Sequence, residues 1–273
     1  MFKRSVNYWS FENKPIAQAA REAAAAGFEA LELCVADKGE LTPKTSEKKV
    51  RQLAAEVRAA GIEVASLATG LFWSYPATSA KKSVQAKALM VIKSMLQIAK
   101  WAGTDAILVV PGAVGVSFIQ GVEPVQYDVA LKRSRDVIRR AVPLAEKLKV
   151  RIGIENVWNM MLLSPLEMRD YVDSFGSRWV GAYFDTGNVV VNGYPEHWIR
   201  ILGSRICRIH IKDFKRSVGN IDGFCPLLEG DANFREVIKA LKEVKYKGRY
   251  LTTEMVPTPL NVTCKALKKI IGA

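Results

Sequence analysis

The chain has 273 residues, 49% hydrophobic and 25% charged, with 40 Lys and Arg against 27 Asp and Glu for a net charge of +13. This is ordinary globular composition, and the length suits an α/β barrel. No apolar run approaches the roughly 18 residues of a membrane span, and the N-terminal MFKRSVNYWSFENKP lacks a signal-peptide core, so the expectation is a soluble, cytoplasmic protein with no membrane partner.

From the N-terminus, short apolar runs alternate with amphipathic helical patterns. KRSVN (3–7) leads to a helix over 16–27, ALELCV (30–35) to one over 46–61, EVASLA (63–68) to 83–103, and DAILVV (105–110) to 127–148. VRIGIE (150–155) precedes a helix over 164–175, VGAYFD (180–185) one over 194–203, ICRIHI (206–211) one over 233–248, and RYLTTE (249–254) one over 260–272. Gly27, Gly61, Gly103 and Gly248 stand where a helix returns to a strand, as stop signals. Ser164, Pro165 and Glu167 form a start signal of cap, pre-set φ and capping-box acid.

Eight such units with no dividing linker predict one domain over 1–273. Parallel strands need crossover connections, so the sheet is expected to be parallel. The count fits a closed (β/α)8 TIM barrel. An open doubly wound sheet is the alternative, but no G-x-G-x-x-G follows the first strand. Cys34, Cys207, Cys225 and Cys264 form no C-x-x-C pair, so a cysteine zinc cage has no support. The lysines and arginines are spread along the helices, as in LKRSRDVIRR. That reads first as a solvated surface, though a basic field also suits an anionic substrate or nucleic acid.

Active sites of such barrels sit at the C-terminal ends of the strands. Glu155 ends the fifth strand, Asp185 the sixth and Glu254 the eighth, while His210 lies in the seventh. Neighbouring strands can bring these four side chains to one point. A carboxylate closing a buried run is tolerable where it meets a cation. Three carboxylates and an imidazole are an oxygen-rich set suited to one divalent metal ion: Mn²⁺ first, with Mg²⁺, Co²⁺ and Zn²⁺ as further candidates. Any one acid alone reads equally as a helix cap or a lysine partner, and His210 alone reads as a core histidine. Four strand ends in succession favour a site.

Asn7, Tyr8 and Trp9 follow the first strand, and Glu32 lies on the second. Phe72, Trp73 and Tyr75 follow the third, and Trp158 and Asn159 the fifth. Each is a candidate pocket wall and equally an ordinary packing residue. Lys212 shares a strand face with His210 and is placed to hold a carboxylate, or a substrate oxygen or phosphate. Lys215 and Arg216 open a strand-seven loop long enough to form a lid.

GIEN, FDTGN, HIKDFKR, LLEGDANF and LTTEM resemble the sugar phosphate isomerase/epimerase family of xylose-isomerase-like TIM barrels. That family includes ketose 3-epimerases of the tagatose/psicose type, L-xylulose-5-phosphate 3-epimerases, hydroxypyruvate isomerase and inosose dehydratase. The likeness runs from SVNYWSF to LTTEM and is specific to the superfamily rather than to one reaction. It implies that Glu155, Asp185, His210 and Glu254 hold the divalent metal, that Glu155 and Glu254 are the acid/base pair, and that Arg216 contacts substrate. Two positions depart from the ketose-epimerase branch. Asn188 replaces a substrate-contacting histidine, and Met161 replaces a second glutamate. DTGN looks more like the phosphopentulose branch and leaves Asn188 as the candidate contact.

The implied activity is epimerisation or isomerisation of a ketose or ketose phosphate. A carbonyl polarised by the metal acidifies the neighbouring C–H, and glutamates move the proton through an enediolate. The implied partner is a small sugar or sugar phosphate. Dimers and tetramers are common in that family, so a homo-dimer or homo-tetramer follows from the resemblance, although nothing in this sequence marks an interface. Inosose-type dehydration and hydroxypyruvate-type isomerisation are the alternative reactions. A non-catalytic sugar-binding protein is the alternative of another class. An AP-endonuclease-like nuclease would need several imidazoles, and the chain has 2 histidines, so nucleic acid is not expected as a partner.

Overall fold

In the computed structural model, which describes residues 2–12, 14–254 and 258–272, the apolar runs become parallel strands that close into an eight-stranded barrel. Its strands are β1 Lys3–Asn7, β2 Ala30–Cys34, β3 Glu63–Ala68, β4 Ala106–Val109, β5 Arg151–Glu155, β6 Val180–Asp185, β7 Ile206–Ile211 and β10 Tyr250–Thr253. A small antiparallel ribbon, β8 Asp213–Phe214 and β9 Phe224–Cys225, stands between the last two. The helices are α1 Ile16–Ala26, α2 Glu47–Ala59, α3 Leu71–Ser74, α4 Lys82–Ala102, α5 Tyr127–Arg139, α6 Val142–Leu148, α7 Pro165–Asp173, α8 Gly187–Val190, α9 Pro195–Leu202, α10 Phe234–Glu243 and α11 Leu260–Ile271. The ring closes because β1 pairs with both β2 and β10.

Apolar stripes hold the helices to the barrel. In α10 the buried residues are Phe234, Val237, Ile238, Ala240 and Leu241, the spacing of one helical face. Inside the barrel the polarity is reversed. Glu32, Ser66, Tyr183 and His210 are all buried there and bonded to one another across the lumen. Gly153 makes room for this, since a Cβ at that position would lie 2.9 Å from Tyr183 Cδ2. At the opposite end Arg208 closes the floor, donating to Ala65 O at 3.0 Å and Cys207 O at 2.8 Å and pairing with Asp105. Satisfying all these groups is what allows them to be buried.

Two expected helices differ in extent. The pattern over 127–148 splits into α5 and α6, with Pro143 at the start of the second, where its missing N–H costs nothing. The helix expected to stop at Gly248 ends at Glu243, and Lys245 takes the left-handed turn with φ 52°. Gly248 serves packing instead: a Cβ there would fall 2.1 Å from the Tyr246 hydroxyl. Gly27 and Gly103 do terminate α1 and α4, at φ 95° and 78°.

The long connection after β7, long enough for a lid, is strapped down. The Asp213 carboxylate accepts from the backbone N–H groups of Phe214, Leu228, Gly230 and Ala232 at 2.9–3.1 Å. Gly230 sits against this knot, and a Cβ there would lie 2.2 Å from Asp213 Oδ1 and 2.7 Å from Phe214 N. Gly230→Ala is therefore expected to destabilise the fold by about 1–3 kcal/mol through overpacking. Thermal unfolding checks this, and an unchanged Tm would contradict it.

Candidate functional site

Glu155, Asp185, His210 and Glu254 meet at the C-terminal mouth of the barrel. One potential ligand atom from each lies within 4.8 Å of the others, and all four residues are buried. Their strands β5, β6, β7 and β10 are consecutive neighbours, and Asp185 is the register partner of His210. Glu254 immediately follows the last residue of β10.

The FDTGN segment shows how sequence builds one corner. Asp185 Oδ1 accepts from Asn188 N at 2.9 Å, which starts the single turn of α8. This leaves Oδ2 free to face the cluster. Asn156, the last residue of GIEN, clamps the Asp185 backbone, donating to its carbonyl at 2.9 Å and accepting from its N–H at 2.8 Å. Gly187 lets β7 approach, because a Cβ there would strike Lys212 Cβ at 2.6 Å.

His210 is oriented from below. Its Nε2 lies 2.7 Å from Glu32 Oε2, and its Nδ1 faces Glu155, Asp185 and Glu254 at 3.8, 3.9 and 3.3 Å. Glu32 is fixed by Tyr183 and Asn7 and by Ser66 at 2.7 Å. A carboxylate at Nε2 places the ring proton there and leaves the Nδ1 lone pair for a cation, the usual support for a ligating imidazole.

The charge balance is tight. Lys212 Nζ stands 2.8 Å from Asp185 Oδ2 and 2.7 Å from Glu254 Oε2. Those contacts lack hydrogen-bond geometry, and Asp185 Oδ2, His210 Nδ1 and Glu254 Oε2 are all buried without a hydrogen-bond partner among the described residues. Burial pushes the Glu155 carboxyl up to about 7, against the pull of His210 and with the help of the Glu254 charge. It raises Asp185 too, partly offset by Lys212. In Glu254 the effect of burial is outweighed by Lys212 and His210, which hold the carboxyl below its usual range. Burial disfavours the His210 imidazolium, yet Glu32 and Glu254 raise it well above the ordinary value. Convergent oxygen and nitrogen atoms without hydrogen-bond partners, around carboxylates that outnumber Lys212, fit one divalent cation.

Above the cluster opens a cavity of about 480 Å³. Glu155, Glu254 and Lys212 form its base, Trp9, Trp73, Leu108, Val110 and Val157 its apolar walls, and Glu12 is at its edge. Of the other expected pocket residues, Tyr8, Trp9 and Trp73 line this space. Asn7 lies beneath, on Glu32. Asn188 donates to Asn156 O, and Trp158 donates to Asn188 O, both at 2.9 Å; the two line a neighbouring cavity of about 450 Å³. Arg216 is engaged elsewhere, donating to Val190 O at 2.9 Å and Gly193 O at 3.0 Å. Tyr183, Ser66 and Asn156 were not singled out by the sequence. Tyr183 could have been found by alternation, two residues from Asp185 on one face; Ser66 carries no such signal.

A sequence profile for the family described as Xylose isomerase-like TIM barrel matches residues 20–269. The chain belongs to that family. It is similar to the L-ribulose-5-phosphate 3-epimerase UlaE of Shigella flexneri, 24% identical over 233 residues that cover 82% of this chain and 77% of that protein. The D-psicose 3-epimerase of Clostridium cellulolyticum H10 superposes with a TM-score of 0.80 at 17% identity, covering 98% of this chain and 99% of that one. The IOLI protein with a binding zinc atom gives a TM-score of 0.78 at 16% identity, covering 99% and 98%. These structural likenesses bear on the fold.

Because Glu32 sets the His210 tautomer, Glu32→Gln is expected to weaken Mn²⁺ affinity by about 10–100-fold. Calorimetric titration of the metal-free protein measures this, and an unchanged Kd would show that Glu32 does not act through the imidazole.

Proposed function

We propose that the chain is a divalent-metal-dependent epimerase or isomerase of a ketose or ketose phosphate. The observation that carries this reading is the convergence of Glu155, Asp185, His210 and Glu254 beneath a cavity, with buried atoms that lack a hydrogen-bond partner turned toward one another. The names of the similar proteins, a ribulose-phosphate epimerase and a psicose epimerase, support it. The zinc of the IOLI protein supports a metal, with Mn²⁺ as the first candidate here and Mg²⁺, Co²⁺ and Zn²⁺ as the others.

Glu155, Asp185, His210 and Glu254 would hold the cation, which when bound acidifies a C–H beside a ketose carbonyl. The protein's own groups do the rest. Glu155 on β5 and Glu254 after β10 both line the cavity and are separated around the ring by β6 and β7. They can therefore approach a substrate from two sides. One removes a proton from one face, and the other, in its protonated form, delivers its own proton to the opposite face, which inverts the carbon. Return to a neighbouring carbon on the same face gives aldose–ketose isomerisation instead. Trp9, Trp73, Leu108 and Val110 limit water access and offer apolar surface to sugar C–H groups. Asn156 and Glu32 hold Asp185 and His210 in place throughout.

Incubation with Mn²⁺ and a panel of ketoses and their phosphates in D₂O tests the proposal, with deuterium read by position after removal of protein and metal. Chelator-sensitive exchange at C3 is expected for an epimerase, and exchange at C1 or C2 for an isomerase. Glu155→Gln and Glu254→Gln should each lower exchange by about 10²–10⁴-fold with the circular dichroism retained. No exchange with any ketose would overturn the proposal in favour of inosose-type dehydration or a non-catalytic binder.

A further inference from the structure

We infer that the substrate is an uncharged ketose and that Glu12 enforces this by repelling a phosphate group at the cavity mouth; the inference rests on the epimerase reading above. The charged residues lining the cavity are Glu12, Glu155, Glu254 and Lys212. Lys212 is the single cation among them, and it lies within ion-pair distance of both Asp185 and Glu254. Together Lys212 and one divalent cation only neutralise Glu155, Asp185 and Glu254. No surplus positive charge remains for a phosphate dianion, which proteins ordinarily receive on cationic side chains or helix N-termini.

The other nearby basic residues do not line the cavity. Arg216 is held by two backbone carbonyls and lies over the Tyr194 ring. Lys215 is exposed and does not line the cavity. Lys14 pairs with Glu22 at 2.8 Å. The neighbouring cavity beside Trp158 has no charged lining residue. Lys81 and Arg133 line a separate cavity of about 760 Å³ that shares only Trp73 with the site, and Arg133 there donates to Thr78 O at 3.1 Å. Asn13 and residues 255–257, which adjoin the site in sequence outside the described residues, carry no charge.

Glu12 adds the repulsive element. It follows the 3-10 turn Tyr8–Phe11 with φ 50°, a left-handed conformation that side-chain-bearing residues seldom adopt. It is exposed and has no hydrogen bond or ion pair among the described residues. That conformation is the turn's left-handed cap; what singles Glu12 out is a carboxylate without a partner among the described residues, lining the cavity beside Tyr8 and Trp9, where it repels an anionic ligand. A neutral polyol meets no such penalty. This reading runs opposite to the phosphopentulose likeness of DTGN, whose Asn188 is occupied by Asn156 O.

The test compares matched pairs, L-ribulose with its 5-phosphate and D-psicose with its 6-phosphate. Mn²⁺-loaded wild type, Glu12→Gln and Glu12→Lys proteins are assayed for C3 exchange, and Kd is measured for each ligand by calorimetry. The wild type should favour a free ketose over its ester at least 100-fold in kcat/KM and bind it more tightly. Glu12→Lys should cut that ratio at least 10-fold, with Glu12→Gln between. A wild type that prefers the ester would overturn the inference while leaving the epimerase reading intact. A ratio unmoved by either variant would overturn the role of Glu12. Absence of exchange with esters and free ketoses alike would instead bring down the epimerase reading, and this inference with it.

Discussion

The contact between Glu32 and His210 governs the site from inside the barrel. Glu32 is wholly buried, so its oxygens must be satisfied, and the His210 Nε2–H does so together with Asn7, Ser66 and Tyr183. Tyr183 reaches across the lumen to the same carboxylate, and Gly153 leaves the space for that ring. With Nε2 committed downward, Nδ1 has one direction left, toward Glu155, Asp185 and Glu254. The position of each cluster member therefore depends on a polar layer below that never touches the cavity.

Excess negative charge follows from this arrangement. Lys212 stands among the carboxylates, and burial and neighbouring charge shift Glu155, Asp185 and His210 toward their protonated forms. Both effects supply positive charge where a metal ion would bring more. The +13 net charge of the chain does not extend to this mouth, where Lys212 is the single basic side chain among the lining residues. Basic residues on outer helices face water, and the site's own sign is set locally.

The strands and the four cluster residues were legible because each apolar run stops on, or contains, a group that burial alone would reject. Alternation also pointed Lys212 inward, and it lines the cavity beside Asp185 and Glu254. What could not be read was the use of long or amide side chains. Arg216 lies at the start of a loop next to the site, yet its guanidinium is spent on the carbonyls of Val190 and Gly193, a choice fixed by tertiary geometry. Asn7 follows a strand like a pocket residue but turns down to Glu32. The loop after β7 has the length of a lid, and Asp213, two residues past the strand, ties it down through four backbone N–H groups. Glu12 gave no signal, since an exposed glutamate in a turn is ordinary until its place on the cavity wall is seen.

The central claim is that Glu155, Asp185, His210 and Glu254 form one metal site, with Lys212 beside Asp185 and Glu254. Anomalous diffraction at the manganese edge from crystals grown with Mn²⁺ tests it most directly. The account predicts a single peak per chain bounded by His210 Nδ1, Asp185 Oδ2 and the two glutamates. A cluster without a peak at saturating Mn²⁺ would contradict it.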